Sequence, residues 1–128
     1  MALPSALELR ERLAEICEDL PEVVQRPGGD HDQHVAYLVR KKTFAYFTDN
    51  EHGDGRLALL VKAPPGEQAA LTGVDPERFF VPAYVGHRGW VGLRLDREPL
   101  DWDEAADLLT EAYRMTAPKR LAAELDGR

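Results

Sequence analysis

A chain of 128 residues with 44% apolar and 30% charged side chains has the make-up of one globular domain, 1–128, able to bury a core without disulfides or a structural metal. The net charge of −7 argues against a simple phosphate-binding protein. No apolar run approaches the roughly 20 residues of a membrane span, and no basic, then apolar leader with a small-residue cleavage site opens the chain.

Ser5 and Glu8 have the spacing of a capping box, and Ala6, Leu9, Leu13, Ile16 and Leu20 form a helical apolar stripe that Pro21 ends. Cys17 stands alone, so no internal disulfide forms, and its place beside that stripe reads as a small buried hydrophobe in a reducing cytoplasm. Arg26 to Asp30, RPGGD, reads as a turn-rich linker. His34 to Arg40 then reads as a strand, Lys41-Lys42 as a tight turn and Thr43 to Thr48 as the antiparallel partner. A loop covers residues 49–55. Arg56 to Lys62 follows as a third strand, with Leu57, Leu59 and Val61 on one face and Ala58, Leu60 and Lys62 on the other.

After Pro64-Pro65-Gly66, Glu67 to Thr72 has room for a short helix. Phe79 to Tyr84 reads as a fourth strand, where Pro82 points to an edge or a bulge, and Trp90 to Leu95 as a fifth. The fifth alternates: Val91, Leu93 and Leu95 face one way, and Trp90, Gly92 and Arg94 the other. Asp101 caps the last long helix, whose stripe is Ala105, Leu108, Leu109, Ala112 and Tyr113, and Lys119 to Leu125 forms a final short helix behind Pro118. The order α, three strands, short α, two strands, α implies a two-layer α+β sandwich. Its sheet is antiparallel and its helices cover one face.

Four motifs in this order, KKTFAYF, LALLVKAPPG, RFFVPAYVGHRGWVGLRLD and AYRMTAPKRL, resemble the MmcQ/YjbR family of small bacterial proteins, over about Pro21 to Leu125. The resemblance implies an α-β(3)-α-β(2)-α fold, similar to secretion chaperones and loosely to frataxin-like proteins. It carries a DNA-binding label that rests on a double-wing arrangement, and brings no catalytic residue and no cofactor. Ala112-Tyr113 departs from the Ser-Tyr common in that family.

Charge is unevenly spread: residues 1–22 and 98–128 each sum to −4, while 23–97 sum to +1. The predicted strands therefore offer a locally basic surface. The face opposite the helices is expected to carry Tyr46, Lys62, Trp90 and Arg94, rings to stack and cations to hold phosphates. Arg40, Lys41 and Lys42 at one tip and Arg88 at another are the candidate wings, with Lys119 as a further phosphate contact. The competing reading is a solvated sheet face whose cations prevent aggregation. No recognition helix or zinc finger is present, so the expected partner is double-stranded DNA held weakly and without sequence preference. The alternative is a protein–protein or chaperone-like module that can form homodimers.

Tyr84 to Trp90 reads as a hairpin turn and not as a phosphate loop, which needs more glycines and a helix start; a small-molecule pocket there is the third reading. Asp30, His31, Asp32, His34 and His52 are metal-capable residue types without metal-site spacing. Ser5, the only serine, reads as a cap, and the Asp101/Asp103 pair as a helix start. The expectation is a cytoplasmic binding protein, not an enzyme, with no metal, cofactor or membrane partner.

Overall fold

Ser5 starts the first helix as its spacing to Glu8 predicts: its hydroxyl accepts the Glu8 N–H at 3.2 Å and bonds the Glu8 carboxylate at 3.2 Å. The computed structural model describes residues 3–127. In it α1 (Ala6–Glu18) buries Leu9, Leu13 and Cys17. The sheet contains, in spatial order, β1 (Val23–Gly28), β2 (His34–Val39), β3 (Lys42–Asp49), β4 (Leu57–Val61), β6 (Val91–Arg94) and β5 (Phe79–Phe80), each neighbouring pair antiparallel. α2 (Glu67–Val74) lies between β4 and β5, and α3 (Trp102–Thr116) and α4 (Lys119–Asp126) close the chain. Asp101 caps α3 by accepting the N–H groups of Asp103 at 2.9 Å and Glu104 at 3.3 Å.

The main core fills the space between sheet and helices. Val35, Tyr37, Phe47, Leu59, Val61, Val91 and Leu93 from the strands meet Leu9 and Leu13 of α1 and Leu109 and Tyr113 of α3. Each fully buried leucine there contributes about 1.5–3 kcal/mol. The alternation of β4 and β6 places its residues as their sequence predicts. Ala58, Leu60 and Trp90 form a second, smaller cluster away from the helices. This is the expected two-layer α+β sandwich.

Three local departures have physical causes. The stretch expected to be a linker contributes β1, an extra strand at the flank of the sheet. Four of its six residues are exposed, and Pro27, which cannot donate to a ladder, is tolerated on an outermost strand. The hairpin turn is Arg40-Lys41, not Lys41-Lys42: both residues take left-handed backbone (φ 50 and 70) and Val39 pairs with Lys42. A bulge follows, since Tyr37 pairs with Ala45 but Leu38 with Thr43, leaving Phe44 as the extra residue. The fourth predicted strand, 79–84, contracts to Phe79–Phe80. Pro82 removes a donor and Tyr84 turns left-handed (φ 63), so the chain leaves the sheet there.

Candidate functional site

Register sets the face turned away from the helices. Ala36, Tyr46, Leu60 and Gly92 stand side by side across β2, β3, β4 and β6, with Phe80 next along. A side chain at Gly92 would collide with the Phe80 ring, which lies over it and carries the Arg56 guanidinium 4.2 Å from its centroid. Segment 81–89 folds back across this face, so that Val85 packs on Ala58, Leu60 and Trp90. Gln68 of α2 holds the segment by donating to the carbonyls of Gly86 at 2.7 Å and Trp90 at 2.6 Å.

That cover corrects the sequence reading of Trp90. The indole lies away from the helices, 5.7 Å from the Tyr46 ring, but it is only 5% exposed and offers no flat surface to a base. Tyr46 is half-buried beside it. Arg94 is held by its own strand end: its guanidinium bonds the Asp96 carboxylate at 3.0 and 3.2 Å. The bond to Asp96 raises the Arg94 pKa. Burial works against ionisation of Asp96, but the Arg94 bond and the Leu57 N–H prevail and hold its pKa below the ordinary carboxylate range. Lys62 shares the face with Arg94, yet it follows β4 at the opposite end, four residues and roughly 13 Å beyond Ala58, the Arg94 partner. These two cations do not form one site.

The other cations do gather. Val39, Lys42, Val61 and Val91 mark one end of the sheet. Arg40 and Lys41 turn there, Lys62 ends β4 there, and Arg88 lies two residues before Trp90 on the 3-10 turn Gly86–Arg88. The start of α4 joins them: Arg40, Lys42 and Lys119 border one hollow of about 310 Å³ together with Thr116, Ala117 and Pro118. Lys41, Lys42, Arg88 and Lys119 are exposed. The acids among them include Glu22 and Glu124, whose charges both act on Arg40. Glu22 is tied to Arg40 by bonds of 2.7 and 3.0 Å that hold its pKa down. The opposite end carries Asp49, Glu51, Asp54 and Asp96. Sequence reasoning had Arg40, Lys41 and Lys42 together at one tip and Lys119 apart from them, but not their convergence, because the meeting of a hairpin tip and a helix start 75 or more residues later leaves no local signal.

Asp30, His34 and His52 border one hollow together with Glu51, but among the described residues no group of three or more His, Cys, Asp or Glu is placed to hold an ion. His34 instead accepts the Asp49 N–H on Nδ1 at 3.1 Å, which puts the proton of its neutral ring on Nε2. His52 packs on Tyr84, ring centroids 5.1 Å apart. Cys17 is 3% exposed, and burial pushes its thiol up to about 12. Among the described residues, no helix is long and apolar enough to cross a membrane.

A family model described as YjbR matches residues 18–115. The fold is similar to the crystal structure of Deinococcus radiodurans protein DR2400, which carries the family-model domain DUF419. The TM-score is 0.71 at 20% sequence identity, over 91% of this chain and 87% of that one. No curated protein matches the sequence.

Proposed function

The chain belongs to the YjbR family, and from that premise we propose that it is a non-catalytic protein that binds the DNA backbone weakly, without sequence preference, through the basic end of its sheet. The observation that supports this reading most is the shared hollow of Arg40, Lys42 and Lys119. With Lys41 beside it and Lys62 and Arg88 at the same end, it gives phosphates several cations at once on a chain of net charge −7. Arg40 is the least available of them, since Glu22 holds it. Trp90 drops out of the contact surface through burial and Arg94 through its bond to Asp96, while Tyr46 is half-buried against Trp90. With the indole withdrawn from the surface, duplex backbone is the preferred form of the ligand over single strands.

The test is a salt titration of binding to a labelled duplex. Affinity is expected to fall steeply with salt, with a slope of about 0.9 per phosphate neutralised. Lys42→Ala, Lys119→Ala weakens binding at low salt and makes the slope shallower by about two phosphates' worth, while Arg94→Ala changes neither. Binding that is indifferent to salt, or a double variant that binds like the parent, refutes the proposal and favours a protein-interaction module.

A further inference from the structure

Beneath the 81–89 cover, on the sheet face turned away from the helices, lies a pocket whose lining the DNA reading does not use. Its volume is about 230 Å³, and Tyr46, Glu51, Leu60, Ala83, Tyr84 and Val85 line it. A second hollow of about 250 Å³ adjoins it across the open half of the sheet and shares two walls, Tyr46 and Glu51. Together they have the size of a site for a small organic molecule.

The lining says what such a molecule must look like. Leu60 and Val85 supply apolar contact, continuous with the small cluster around Trp90. Tyr46 and Tyr84 supply two phenol rings, and the Tyr84 ring is 72% exposed although its backbone is held left-handed at φ 63. Glu51 supplies the charge. Among the described residues its one ionic partner is His52, whose Nε2 is 3.8 Å away, and no lysine or arginine pairs with it. Glu51 is also the one charged side chain common to both hollows; Arg26 borders the outer one alone. A carboxylate sharing a pocket with two phenol rings attracts a cation, and an apolar floor attracts a hydrocarbon.

We propose that this pocket binds a small organic ammonium ion with an apolar or aromatic body. The ammonium group sits by the Glu51 carboxylate and the two phenol rings, and the body lies on Leu60 and Val85. No covalent step is involved.

Calorimetric titration with 2-phenylethylamine tests this, with 2-phenylethanol and phenylacetate as neutral and anionic matches. The ammonium compound is expected to bind roughly ten-fold or more tightly than either match, and Glu51→Gln to erase that preference. Tyr84→Ala weakens the ammonium compound, and Lys42→Ala leaves it unchanged, which separates this site from the DNA surface. Absence of binding, equal binding of all three compounds, tighter binding of phenylacetate, or a Glu51→Gln variant that keeps the preference overturns the proposal. Should Glu51→Gln lower the thermal midpoint of the free protein, amide shift mapping on the parent decides. Shifts centred on Tyr46, Leu60 and Val85 support the site, and shifts centred elsewhere overturn it.

Discussion

Two buried phenols in one core place opposite demands on their surroundings. The Tyr113 hydroxyl donates to the Pro21 carbonyl at 2.7 Å, joining α3 to the segment between α1 and β1. The Tyr37 hydroxyl is fully enclosed and has no partner among the described residues, and burial raises its pKa well above the usual phenol range. Removing a made bond leaves a carbonyl unsatisfied, whereas removing an unmade one relieves a desolvated group. Tyr113→Phe is therefore expected to cost about 1–3 kcal/mol in urea unfolding. Tyr37→Phe is expected to be neutral or stabilising by about 1 kcal/mol. Tyr113 was legible as core from its helical period, whereas Tyr37 was placed on a strand with no face assigned. The bond to Pro21 was not legible, because 92 residues separate its ends.

Among the elements, the β2–β3 hairpin is the one built against local preference. Arg40 and Lys41 both occupy left-handed backbone, where glycine and asparagine are at ease and long side chains are not. Arg40 has a reason to be there, its bidentate bond to Glu22, which is itself left-handed at φ 61. Lys41 has no such bond. Lys41→Gly is expected to raise unfolding free energy by about 0.5–1 kcal/mol, read by urea denaturation, and to lower DNA affinity as a lost cation. The same hairpin explains why the turn was placed one residue late: Lys41-Lys42 lacks a turn signature, and the bulge at Phe44 disguises the register. Trp90 carries a related lesson. Alternation told correctly which way it points, because side chains on a strand follow a two-residue period. The cover over it comes from an irregular segment pinned by Gln68, and irregular segments have no period to read.

At the scale of the whole molecule, charge is arranged against the net. Basic side chains collect where β2 turns into β3, and carboxylates where β3 turns toward β4. The structural ion pairs set the response to acid. Asp96 and Glu22 have lowered pKa values in the folded protein, so the stability they add is present above the ordinary carboxylate pKa of about 4 and is lost as pH falls through their folded values. Arg78, bonded to Glu104 and Asp75 at 2.6 Å each, ties the approach to β5 onto α3. Unfolding free energy is expected to be level from pH 7 to about 5 and to fall below about 4. Asp96→Asn should lower it by about 1–2 kcal/mol at pH 7 and flatten the acid limb, as followed by thermal melts across pH.

Among the described residues, the flank of the sheet formed by β1 has no strand paired on its outer side, and Val24 there is 57% exposed. Such a margin invites a seventh strand from another copy, the first step toward a fibril. Pro27, the fifth of the six residues of β1, brings no amide hydrogen to such a ladder and stiffens the chain at that point. The same proline that made this stretch look like a linker thus acts as a brake on runaway polymerisation.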